Sequence, residues 1–277
     1  MLKPVIYLAT LLAVAGCTQN NHSAMNDYYK VYGSDLEDMG AALENLSTLN
    51  IYFGHQSVGF DMLSGLETWE EETGVHIKKT ESRDFSSTGD ASLIHFRVGE
   101  NKDPYSKIED FTTLVQQIPE DKSSMAFFKF CYIDFHKTAD VDAIFAAYKE
   151  KMLALKDSTG NCQIVLCTVP VTTLQRGPKA IVKKILGKPL NHARENVKRN
   201  AFSEKIRTEL GGDFPIFDLA KVESTLPDGS TETFKYQDKY YPRLPQRYTR
   251  DQGHLNPNGA KIVAYNLIAF LTEEMIR

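Results

Sequence analysis

Two short segments far apart in the 277-residue chain carry the residue types that acyl-transfer chemistry needs. Near the C-terminus stands Asp251-Gln252-Gly253-His254-Leu255-Asn256-Pro257-Asn258-Gly259, with an Asp and a His three residues apart ahead of an apolar helical pattern. At that spacing both side chains fit on one turn of backbone, so the carboxylate can orient the imidazole and fix its tautomer while the ring acts as a base. A base of this kind serves a nucleophile. The candidate lies upstream in Asn50-Ile51-Tyr52-Phe53-Gly54-His55-Gln56-Ser57-Val58-Gly59, where an apolar run ends at a glycine-flanked serine and a helical pattern follows. Ser57 at such a strand-to-helix turn would attack an ester carbonyl once His254 takes its proton. Its own backbone N–H, at a helix N-terminus, is a donor for the tetrahedral oxyanion.

The pattern between these segments alternates strands and helices. A helical pattern over 34–47 precedes strand one at 50–53, and a helix over 58–72 puts Met62, Leu66 and Trp69 on one face. Strand two is expected at 75–80, followed by a long connection over 81–105 and a helix over 108–118. Strand three at 124–132, a helix at 141–156, strand four at 163–169, a helix at 191–210, strand five at 215–219 and a last helix at 257–276 complete the set. Continuously apolar strands in repeated strand–helix units predict a parallel sheet covered on both faces. Ligands in such sheets bind at the carboxyl ends of the strands. Ser57, Gly89, Asp134, Asp251 and His254 all follow predicted strands and so fall on one rim.

The Ser57 and Asp251/His254 segments resemble, in order and position, the first and last sequence blocks of the SGNH/GDSL hydrolase superfamily. The resemblance implies an α/β fold, a three-layer α/β/α sandwich around a parallel, flavodoxin-like five-stranded sheet. It implies a Ser57-His254-Asp251 triad with no cofactor, and a second oxyanion N–H from a Gly after strand two, a place matched by Gly89 in Ser86-Ser87-Thr88-Gly89-Asp90. Two blocks depart from the family. Gly54-His55-Gln56-Ser57 stands for Gly-Asp-Ser, and Cys131-Tyr132-Ile133-Asp134 has Ile133 where the family carries an Asn donor. The third donor is therefore missing, supplied by a neighbour such as His55, Gln56 or His136, or replaced by Asp134 in another role.

Composition sets the compartment and excludes some partners. Lys3 followed by an apolar stretch ending in Leu12-Ala13-Val14-Ala15-Gly16-Cys17 looks like a bacterial lipoprotein signal. The expected organisation is a signal over 1–16, a lipidated Cys17 with a polar tether over 17–33, and a hydrolase domain over 34–277. Acyl chains on Cys17 would anchor the protein in the cell envelope, and Thr18 after it favours the outer membrane in a Gram-negative host. A net charge of −4 argues against nucleic acid as a partner. With Cys17 lipidated, Cys131, Cys162 and Cys167 remain as expected buried free thiols, Cys131 and Cys167 being the pair able to approach. No Cys-x-x-Cys or His-x-x-x-His pair suggests a metal site.

Two further segments bear on substrate. Residues 176–199 carry Arg176, Lys179, Lys183, Lys184, Lys188, Arg194, Lys198 and Arg199 against a single acid, Glu195, a local positive patch suited to an anionic polymer or membrane surface. Residues 234–248 hold several tyrosines with Arg243 and Arg247, and Tyr241, Arg243 and Tyr248 are the candidate substrate contacts. The expected activity is a serine esterase releasing acyl groups, O-acetyl above all, from carbohydrate. The alternatives are transfer of the acyl group to a sugar hydroxyl, a lipid esterase, or a non-catalytic lipoprotein that binds envelope polymer.

Overall fold

The computed structural model describes residues 36–87, 92–119 and 123–276. In chain order the elements are helix α1 (Leu36–Leu46), strand β1 (Asn50–His55), α2 (Ser57–Thr73), β2 (Lys79–Glu81), β3 (Leu93–Arg97), α3 (Pro104–Val115), β4 (Ser124–Phe128), α4 (Val141–Ser158), β5 (Cys162–Ile164), β6 (Leu166–Cys167), α5 (Pro178–Ile185), α6 (Ala193–Leu210), β7 (Ile216–Phe217), α7 (Leu219–Ser224), β8 (Thr233–Tyr236), β9 (Lys239–Pro242) and α8 (Pro257–Ile276). A five-stranded, all-parallel sheet in the order β2-β3-β1-β4-β5 forms the centre, and β6 pairs in parallel with β7 beside it.

The two-residue period of the strands sorts the core into two halves. Ile51, Phe53, Leu93, Met125 and Phe127 face α1, α2 and α8. Tyr52, Ile94, Phe96, Ala126 and Phe128 face α3, α4 and α6. The result is the expected three-layer α/β/α sandwich. The chain steps from β1 outward to β3 on one side and then to β4 on the other, so the switch point of the sheet lies at the carboxyl ends of β1 and β4.

One helix pair carries most of the positioning. A β-carbon at Gly65 of α2 would run into the Ala260 carbonyl of α8, with Ala264 next to it, so the small residues let the two backbones meet. Trp69 Nε1 donates to the Lys261 carbonyl at 3.0 Å, and the Lys261 ammonium lies 4.4 Å above the indole. Ser57 begins α2 and His254 stands just ahead of α8, so this packing fixes the distance between them.

Three expectations are corrected. The neighbour of β1 on the β2 side is β3, inside the stretch read as a connection, and β2 is only a three-residue edge strand. Strand four is broken: Cys162–Ile164 pairs with β4, Val165 donates to the Ala126 carbonyl, and Leu166–Cys167 turns to β7. The tyrosine-rich stretch, where no strand was expected, forms an antiparallel hairpin, β8–β9, with Gln237 and Asp238 at φ 46° and 62° in its turn. The final helix and the helices over 141–158 and 193–210 stand close to where the periodicity puts them.

Candidate active site

Ser57 opens α2 directly behind β1, and its hydroxyl meets the His254 Nε2 at 3.0 Å. On the other edge of the ring, His254 Nδ1 lies 2.6 Å from Asp251 Oδ2. A carboxylate oxygen only accepts, so Nδ1 carries the proton and Nε2 is left bare toward Ser57, the tautomer a general base requires. Asp251 Oδ1 also accepts from the N–H groups of His254 (2.9 Å) and Gly253 (3.1 Å). Partial burial works to raise the Asp251 pKa, but those two N–H groups and the imidazole together hold it below the usual carboxylate range. The carboxylate is therefore charged wherever the ring needs it.

The loop that presents His254 is locally over-determined. Thr249 Oγ1 donates to the His254 carbonyl at 2.6 Å, and the Arg250 N–H meets the same carbonyl at 3.1 Å. Gln252 holds φ at 105°, a backbone region costly for a side-chain-bearing residue, and its carbonyl accepts the Thr173 N–H at 2.8 Å. Asn256 then caps α8, its Oδ1 accepting the Gly259 N–H at 3.0 Å, and Pro257 starts the helix as its fixed φ favours.

Asp61 links the helix that Ser57 opens to this loop. It lies one helical turn below Ser57, is 7% exposed, and accepts from Arg250 Nη1 at 2.8 Å and from the Leu255 N–H at 3.1 Å. Arg250 Nη1 donates to the Leu255 carbonyl as well. The sequence reading passed over Asp61; its place four residues after Ser57, on the same helix face, is the signal that points to it. Tyr132 and Arg199 were also missed as site residues. The Tyr132 ring packs edge-on against the His254 imidazole at 5.6 Å between centroids, and a β-carbon at Gly253 would overlap it. Beneath it Arg199, assigned above to a surface patch, is buried: Nε donates to the Tyr132 carbonyl at 2.8 Å, and Nη1 donates to Asn196 and Thr172. Burial brings its pKa down to about 10, so it stays cationic at neutral pH.

The supporting candidates are turned elsewhere. His55 is fully buried, donates from Nδ1 to the Gln56 carbonyl at 2.9 Å, and so accepts at Nε2 from His95 Nδ1 at 3.2 Å. Burial pushes its pKa down to about 3, which keeps it neutral. The ring fills the space where a β-carbon on Gly59 would stand. The Gln56 amide nitrogen uses its hydrogens on the Val98 and Gly99 carbonyls, at 3.0 and 2.9 Å, leaving none for an oxyanion. Asp134 faces inward from the rim: both oxygens bind Lys107 Nζ (2.9 and 2.7 Å) in a pair with neither side chain exposed, and they also accept the Lys102 and Cys131 N–H groups. It shapes the turn that presents Tyr132. His136 is bonded to Thr138. Ile133, in the place of the family's Asn, is 36% exposed.

Gly89 and Cys17 lie outside the described residues. Gly89 precedes β3, the true neighbour of β1; the glycine following β3 is Gly99, whose N–H donates to Asp110 at 2.7 Å. Of the substrate candidates, Tyr248 is corrected to a core residue, 4% exposed in the cluster around α8, and Arg243 pairs with Glu232 across the hairpin base. Tyr241 is half-buried against Phe234. Cys131, Cys162 and Cys167 are buried free thiols. Among the described residues there is no cluster of metal-ligating side chains, and no helix is long and apolar enough to cross a membrane.

Among the described residues, a donor for an oxyanion comes from α2 itself. Gln56 at its N-cap makes no side-chain cap, so the Ser57 N–H stands at an uncapped positive helix end beside the hydroxyl.

No family model and no curated protein matches the sequence. Among solved structures the chain is similar to a GDSL-like lipase from Bacteroides thetaiotaomicron, at 12% identity and a TM-score of 0.48 over 87% of this chain and 100% of the other. It is similar to a candidate acylhydrolase from Bacteroides fragilis, at 12% identity and a TM-score of 0.49 over 83% and 88% of the two chains. An acetyl xylan esterase matches at 17% identity and a TM-score of 0.45 over 80% and 98%. The chemistry rests on the site.

Proposed function

We propose that this protein is an SGNH-type serine esterase that removes ester-linked acyl groups, acetyl above all, from carbohydrate. The observation that carries the reading is the continuous hydrogen-bonded series Ser57 Oγ, His254 Nε2, His254 Nδ1, Asp251 Oδ2, at 3.0 and 2.6 Å. In this scheme His254 Nε2 takes the Ser57 proton as Oγ bonds to the ester carbonyl carbon. The oxyanion is met by the Ser57 N–H at the start of α2, and the imidazolium returns its proton to the departing sugar oxygen. A water molecule activated by the same ring then releases the acid. Anchoring through a lipidated Cys17 in the bacterial envelope belongs to the same proposal and rests on the sequence around that residue.

The test is p-nitrophenol release from acetate, butyrate and octanoate esters by a soluble form starting at Thr18, alongside Ser57→Ala and His254→Ala. Activity on acetate lost in both variants supports the esterase; activity retained in Ser57→Ala rejects it. Adding a free sugar acceptor separates transfer from hydrolysis, because transfer releases p-nitrophenol without equivalent acetate.

A further inference from the structure

Beside the triad the surface is concave and cationic. A cleft of about 360 Å³ is lined by Leu174, Arg176, Gln246, Arg250, Asp251 and Gln252, so one wall is the triad loop itself. Leu174 also borders a second cleft of about 450 Å³, so the two are neighbours. The second lies between the turn after α5, the start of α6 and the β8–β9 hairpin. Lys188, Arg194 and Lys235 are on its walls with Phe234 and Tyr236, and no carboxylate lines it.

These cations are not already satisfied. Arg176, Lys188 and Arg194 are exposed and form no ion pair among the described residues, and Lys235 pairs only with Asp238, at 2.9 Å and 93% exposed. Other basic residues of the same segment are committed: Arg199 is buried under Tyr132, Lys198 Nζ donates to the Ala139 carbonyl, and Lys183 Nζ to Asn191. In a chain of net charge −4, two neighbouring clefts lined by exposed cations concentrate anions locally. Neighbouring open clefts, one with Phe234 and Tyr236 on its wall, suit a sugar chain, and the cations select one that bears carboxylates.

Resting on the esterase reading above, we infer that the protein acts on an acylated acidic polysaccharide, a chain of uronic acid residues. The polymer lies along the clefts, its carboxylates on Arg176, Lys188, Arg194 and Lys235, and an ester-bearing sugar sits at Ser57. Binding of the polymer and chemistry on the ester are separable, so the two readings fail separately.

The first arm is titration of de-esterified polygalacturonate into the wild-type protein by calorimetry, which needs no catalysis. Binding is expected, weakening as salt is raised from about 50 to about 500 mM, and weakening by about tenfold or more in Lys188→Glu/Arg194→Glu. Lys235→Glu, on the opposite wall, is expected to weaken it as well. The second arm compares kcat/KM on O-acetylated polygalacturonate and O-acetylated xylan, a neutral chain, each taken relative to the same protein's value on p-nitrophenyl acetate. The double variant is expected to lose its preference for the acidic polymer through KM. Absent polygalacturonate binding, or binding indifferent to salt and to both variants, overturns the inference even if small esters are hydrolysed. Salt-sensitive binding in a protein inert toward every ester keeps the cationic clefts and overturns the esterase.

Discussion

Asp61→Asn tests whether the triad is held by the α2-to-loop clamp. The substitution keeps the size of the side chain but replaces one of two accepting oxygens with an NH2. The native carboxylate accepts from Arg250 at 2.8 Å and from the Leu255 N–H at 3.1 Å, so one of these donors must face a donor in the variant. A buried donor left without its acceptor costs about 1–3 kcal/mol. Leu255 follows His254, so a loop that relieves the mismatch by moving away from α2 carries His254 off Ser57. Expressed in the barrier at about 1.4 kcal/mol per decade, that cost is a fall in kcat of roughly 5- to 150-fold. The assay is steady-state hydrolysis of p-nitrophenyl acetate with a melting curve on the same sample. The expected result is a lowered kcat with KM within about twofold, because the clamp does not touch substrate. A lowered Tm with kcat within about twofold of wild type would refute the clamp and leave Asp61 a structural residue.

Two other buried carboxylates give independent tests. Asp134→Ala strands Lys107 as an unpaired buried cation and should lower stability by about 3–5 kcal/mol in denaturant unfolding, with part of the loss recovered in Asp134→Ala/Lys107→Met; an unchanged midpoint contradicts the pairing. Glu223 is fully buried, accepts the Val171 N–H at 2.8 Å, and burial pushes its pKa up to about 8. The folded state then holds a proton that the unfolded chain releases, so the associated stability is fully present below the ordinary carboxylate range and is lost as pH rises through about 8. Glu223→Gln should gain in Tm relative to wild type between about pH 5 and about pH 8, and parallel Tm profiles would contradict this.

The meeting of Ser57, His254 and Asp251 was legible because the residues are local signals: a Ser at the end of an apolar run, and an Asp and His on one turn before a capped helix. The sheet was legible where strands are continuously apolar. β3 was missed because His95 and Arg97 interrupt Leu93, Ile94 and Phe96, so the run reads as a polar connection although its apolar side chains fill the core. The hairpin was hidden because its turn is built on Gln237 and Asp238, both at positive φ, without the Asn-Gly or Asp-Gly pair that announces such turns. Tyr132 and Arg199 act through contacts made across the sheet's rim, which no spacing in the sequence records, whereas Asp61 is marked only by its helical spacing from Ser57.

The central claim is that Ser57 is a nucleophile activated by His254. A fluorophosphonate probe tests it directly, since Oγ displaces fluoride at phosphorus and leaves a stable adduct. The expected result is a single adduct mapped by mass spectrometry to the Ser57 peptide, absent in Ser57→Ala and slowed by about 10²-fold or more in His254→Ala. A folded wild-type protein that gains no adduct, or one modified at another residue, would contradict the account.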